Sequence, residues 1–256
     1  MEEAQPSNSN VDAVSPETSL GNRMMNVFIA PAEVFDEIKS SPPRTGNWLM
    51  PMILAIVVGW VYTVLVFSQP GVIQAMKDAQ ARKWQQMVDS GKYTQKQADQ
   101  IQAMSENFMT PTFLRVVGIL GVLISQPALL FLLALIVWLL GTKAFGGNFE
   151  YMKAVEVVGM SAMIAVVGAI VSMLLAVIYG SIYMTPGPVL LVGHFDPLNK
   201  VHMALSTMNL GSLWYVGVVA TGLSRLSGAS FLKSALWGFG IWALFTLGPV
   251  LAFGGK

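Results

Sequence analysis

Two long runs without charge, residues 116–142 and 154–179, constrain this chain more than any other feature. The first holds 27 residues with no Asp, Glu, Lys or Arg, and 17 of them are Val, Ile, Leu or Phe. Near the centre of a membrane helix those side chains together favour insertion by roughly 5–10 kcal/mol, which Gln126 and Pro127 reduce without reversing. The second run carries one charge, Glu156, close to its start. Each run exceeds the ~20 helical residues that cover a ~30 Å hydrocarbon layer. The pair therefore reads as a helical hairpin in a membrane, with lipid as the solvent for the rest of the fold.

Composition agrees where it bears on class. With 54% hydrophobic and 11% charged residues, the chain is too apolar for an ordinary water-soluble domain. A net charge of +1 supplies no basic face for nucleic acid, so no nucleic-acid partner is expected. The absence of cysteine excludes disulfides, thiolate nucleophiles and Cys-based metal sites. No cleavable signal peptide is expected, because residues 1–47 are polar and acidic.

In chain order, residues 1–22 are rich in Ser, Asn, Glu and Pro and read as a disordered tail. Residues 23–47 read as an amphipathic surface helix, with Pro31 in its first turn and Val34, Phe35 and Ile38 on one face. A solvated connector helix with a few core contacts fits the same pattern. The spans fall at about 48–68, 116–142, 154–179, 205–224 and 232–253, the fourth diluted by Ser206, Thr207, Asn209 and Ser212. Between the first two spans, residues 72–113 form a helical extramembrane loop, in which Ser90-Gly91 breaks one helix and Thr94 to Gln97 opens another with a capping box. The fold class is all-α: a polytopic membrane protein with a five-helix transmembrane bundle and a helical extramembrane loop.

Pro127 removes a backbone donor in mid-span, so a kink is expected there. The third span sets small residues four apart, Ser161, Ala165 and Ala169 in one series and Gly168, Ser172, Ala176 and Gly180 in another. Such a stripe admits close helix approach, either inside one bundle, the expected use, or in a homo-oligomer. The short later segments place Lys143, Lys153, Arg225 and Lys233 on one side and Lys200 and Lys256 on the other, which favours a cytoplasmic N-terminus.

The segment Phe28-Ile29-Ala30-Pro31-Ala32-Glu33-Val34-Phe35, the Trp48-Leu49-Met50-Pro51 start of the first span, the connector Phe145-Gly146-Gly147-Asn148-Phe149 and the stretch from Leu213-Trp214 through Gly222 and Ser230 to Lys233 carry a resemblance. Over residues 24–253 the chain resembles the Yip family, the Ypt/Rab-interacting membrane proteins, in its bacterial branch. It departs from the eukaryotic pattern in having Gly159-Met160 where Gly-Tyr is common and no Asp-Leu-Tyr-Gly-Pro segment ahead of the first span. The resemblance implies a small, non-enzymatic, multi-pass protein of a bacterial inner membrane.

Catalytic signatures are missing: there is no His-Glu-x-x-His, no Gly-x-Ser-x-Gly and no Walker-type loop. His194, Asp196 and His202 are of ligand type, but a third strong ligand nearby is lacking, and neither metal nor cofactor is expected. Glu150 and Glu156 are expected to face headgroups or to cap the third span. Intramembrane polar groups mark transport pathways by default, and Gln126, the interrupted region from Pro186 to Asn209 and Arg225 are the candidates, with Pro127, Gly168 and Ser172 as packing positions. The expected function is a membrane scaffold or adaptor, bound to lipid and to a protein partner at the leader or the first loop. Translocation of a lipid or small amphiphile is the alternative.

Overall fold

The computed structural model describes residues 18–253, and the Ser19 hydroxyl accepts the Asn22 N–H and opens α1 (Leu20–Asn26). Of the disordered tail expected over residues 1–22, residues 20–22 are helical and residues 1–17 lie outside the described residues. Pro31 starts α2 (Pro31–Ser40), its fixed φ suiting a first turn. The leader is therefore two helices, and lipid does not cover its apolar face. Val34, Phe35 and Ile38 are buried on the bundle beside Val157, Met160, Ile164, Val218 and Leu226.

The first span is α3 (Gly46–Val66). It is followed by α4 (Pro70–Asp89) and α5 (Gln95–Glu106), and the capping box between Thr94 and Gln97 forms as its sequence dictates. The second span, α6 (Pro111–Leu139), runs as one helix through Pro127 and ends in a π turn, Leu140–Ala144. The third, α7 (Tyr151–Tyr179), stops at Gly180, whose φ of 62° suits a residue without a Cβ. After a 3-10 turn at Pro188–Leu191 come α8 (Lys200–Thr207), α9 (Leu210–Ser227) and α10 (Phe231–Phe253).

Among the described residues four helices, α3, α6, α7 and α10, are long and apolar enough to cross a membrane, and α8 with α9, bent by 50° at the break between them, passes the same test as a pair and counts as a fifth when the two are taken as one span. The fourth span is thus not the single helix of 205–224. Its apolar half, α9, has 18 residues and spans only about 27 Å.

Side-chain pairings fix how the spans run. Trp48 lies on Gly159, while Val66 shares a cluster with Met173 and Ala176, so α3 and α7 run parallel. Gly59 meets Val122 and Gly118 meets Thr63, which sets α6 antiparallel to α3. Gly168 touches Gly211, and Gly222 touches Val157, making α7 and α9 antiparallel. One end of the bundle therefore gathers the leader, the 140–150 connector and the turn before α10. The other gathers α4, α5 and the 181–209 segment. At the leader end α7 is hemmed in on every side, with each residue from Lys153 to Ser161 buried.

Candidate functional site

That fully buried stretch of α7 carries two charges, and what surrounds them is the most polar place in the interior. Glu156 is 0% exposed. Its Oε1 accepts from Asn47 Nδ2 at 2.7 Å and from the Arg44 backbone N–H at 2.8 Å. Lys153, one turn earlier, sits 3.5 Å from Glu156 Oε2 and donates to the carbonyls of Ile38, at 2.5 Å, and Ser41. The correction to the sequence reading is plain: Glu156 does not face headgroups. Glu150 takes the N-cap position of α7 without a side-chain capping bond.

Asn47 extends the network. Its Oδ1 accepts from Arg23 Nη1 at 3.2 Å, and Arg23 Nη2 reaches Glu37 Oε1 at 2.6 Å. Arg23 is 1% exposed, so its charge is neutralised inside the protein and not by water. Burial pushes the Glu37 carboxyl upward, but the hydrogen bond and charge of Arg23, with the Thr18 N–H, outweigh it and hold the carboxyl below its ordinary value. Two cations and two carboxylates thus cross-link α1, α2, α3 and α7, with Asn47 as the neutral bridge between the pairs. A charge taken out of water is tolerated only when its partners are in place, so these groups hold one docked position of the leader.

The residues singled out in the sequence do not converge. Gln126 and Pro127 lie half-buried near the middle of α6. Gly168 and Ser172 meet the break between α8 and α9: a Cβ on Gly168 would stand 3.2 Å from Gly211 Cα, and Ser172 Oγ accepts from Asn209 Nδ2 at 3.2 Å. Asn209 Oδ1 meanwhile caps α9 through the Gly211 N–H at 2.8 Å. This part of the small-residue stripe is used inside the bundle. Arg225 is half-exposed at the leader end and pairs with Asp36 at 3.3 Å, while its carbonyl accepts from Lys39 Nζ. His202 Nδ1 accepts the Asp196 N–H at 3.0 Å and its ring stacks on Phe195, which occupies both as loop-forming groups. Among the described residues no group of three or more His, Asp or Glu converges as a metal site would require.

Arg23, Glu37, Asn47 and Lys153 were missed as a set by sequence reasoning. The available signal was the pair of charges at Lys153 and Glu156, one turn apart on a helix otherwise apolar for its whole length. Charges at that spacing on a buried face require partners from elsewhere in the chain.

The Yip1 domain family model matches residues 25–252. The match starts within α1 and ends in α10, so it covers both the docked leader and the crossings. No curated protein and no solved structure matches the chain.

Proposed function

The chain belongs to the Yip1-domain family of membrane proteins, and from that premise we propose that it works as an integral membrane scaffold or adaptor and not as an enzyme. The observation that carries this reading is the pairing of Arg23, Glu37, Asn47, Lys153 and Glu156. Ionisable groups that line a conducting path must exchange partners as substrate passes; these are engaged with one another and with backbone, and they hold the leader against α7. The spans then serve as a rigid frame. The frame presents the α4–α5 hairpin at one end and the leader, with its exposed Asp36–Arg225 pair, at the other. We assign the leader end to the cytoplasm of a bacterial inner membrane, following the lysines and arginines of the short connectors.

One observation favours transport as a second reading: the crossing formed by α8 and α9 is discontinuous, with Asn209 and Ser172 bonded at the break. Broken helices recur at substrate sites of carriers. Reconstitution separates the two. Purified protein in liposomes with a fluorescent headgroup-labelled lipid gives no flux above protein-free vesicles if it is a scaffold, while photo-crosslinkers on the polar side of α5, at Gln95 or Asp99, trap a defined partner in native membranes. Lipid flux that falls on Asn209→Ala or Gln126→Leu replaces the scaffold with a translocator.

A further inference from the structure

The exposed apolar residues of the α4–α5 hairpin form an edge rather than a scatter. Met104 is 60% exposed and Phe108, four residues on, is 55% exposed. Met104 shares the apolar face of α5 with Ala98, which is buried, and Ile101, which is half-buried, and Phe108 follows in the turn just past the end of the helix. Asp99 and Glu106 stand exposed on the opposite side, so the 12-residue helix has one apolar and one acidic face.

What covers the edge follows from where it leads. Phe108 meets Phe113 edge-on, with ring centroids 5.1 Å apart. Phe113 lies in the first turn of α6, and its own exposed face continues into Val116, Val117 and Leu120 of the same helix. Those residues belong to a membrane crossing and face lipid. Exposed apolar side chains therefore lead from the span through the Phe108–Phe113 pair to Met104 on α5. An isolated apolar patch on a soluble surface has many potential occupants; one continuous with a lipid-facing span has its occupant beside it.

We propose that α5 is an interfacial helix: Met104 and Phe108 seat in the headgroup region of the leaflet from which α6 emerges, and the bilayer is their partner. Side chains of this kind on an amphipathic helix bury to a depth of about 5–10 Å at the headgroup–acyl boundary. The seating holds the hairpin at a fixed angle to the bundle, with its Gln and Asp residues toward water. It rests on the membrane-spanning fold and not on the scaffold reading.

The chain has no cysteine, so single-cysteine variants report one position each. Met104→Cys, Phe108→Cys and Gln95→Cys, each labelled with an environment-sensitive fluorophore, are compared in phosphatidylcholine–phosphatidylglycerol nanodiscs with and without spin-labelled quencher lipid. Positions 104 and 108 are expected to emit at shorter wavelength than position 95 and to lose at least about half their intensity to the quencher, with position 95 losing little. Full-length protein that elutes as one species in all three variants secures the comparison. Aqueous emission and equal, weak quenching at all three positions would overturn the proposal. So would shielding of 104 and 108 that appears only when another protein is added.

Discussion

Asn47 holds the carboxylate of Glu156 with one end of its amide and the guanidinium of Arg23 with the other, at 2.7 and 3.2 Å. Glu156 lies on α7, Arg23 on α1 and Asn47 in the first turn of α3. A single neutral side chain therefore joins the leader to two spans. An amide suits this position because it donates to the anion and accepts from the cation at once; a carboxylate or an amine would repel one neighbour.

Asn47→Ala is expected to destabilise the protein by about 1–3 kcal/mol, the cost of leaving a buried polar group without its partner. Asn47→Leu is expected to be worse, because it also fills the space that water could enter. Thermal unfolding in detergent, followed by tryptophan fluorescence, measures both. Equal midpoints for wild type and Asn47→Leu would remove the network from any role in stability.

Glu37 makes leader docking sensitive to acid. Its carboxyl titrates below the ordinary value in the docked state, so its contribution is complete above the unfolded carboxylate pKa and is lost as pH falls through the lower, folded one. Hydrogen exchange at amides of α1 and α2, corrected for intrinsic pH effects, should rise relative to α7 as pH is taken from 7 to about 3.5. In Glu37→Gln the leader should exchange faster already at neutral pH and respond less to acid. Superimposable pH profiles for the two proteins would contradict this.

Close approach of α7 to its neighbours depends on two glycines. A Cβ on Gly159 would stand 2.5 Å from Trp48 Cα, and one on Gly222 would overlap Val157 Cγ1. The first clash is with backbone and the second with the tip of a side chain. Gly159→Ala should therefore cost about 1–3 kcal/mol with no simple remedy, whereas Gly222→Ala should be largely rescued by Val157→Ala. Unfolding midpoints of the single and double variants test this, and failure of Val157→Ala to rescue would sink the α7–α9 contact described here.

At the break in the fourth crossing, Asn209→Ala removes the cap of α9 and the bond to Ser172 together. Loss of the cap alone is worth about 0.5–2 kcal/mol. Ser172→Ala, which removes only the interhelical bond, should cost less. The reverse order would mean that the break is held by α7 and not by the cap.

The crossings were legible because lipid imposes a one-dimensional rule: α6, α7 and α10 lie within five residues of the bounds read from uncharged runs alone. Thr94 and Gln97 were legible for the opposite reason, since a capping box is local. The leader was not, because Val34, Phe35 and Ile38 make the same stripe whether lipid or protein covers it. Asn47 and Glu156 stand 109 positions apart, and nothing local marks either as the other's partner. The stripe at Gly168 and Ser172 was visible, but Gly211 and Asn209 opposite it were not. The partner of Arg225 was hidden too, because Asp36 stands far from it in the chain.

The central claim is a bundle crossed an odd number of times, with the leader and both short connectors at one end and the α4–α5 hairpin at the other. Single cysteines at Ser40, Ser90, Asn148, His194 and Ser230, probed in sealed vesicles with a membrane-impermeant thiol reagent, test it most directly. Positions 40, 148 and 230 should react from one side and positions 90 and 194 from the other. Reaction of 148 and 194 from the same side would contradict the fold described here.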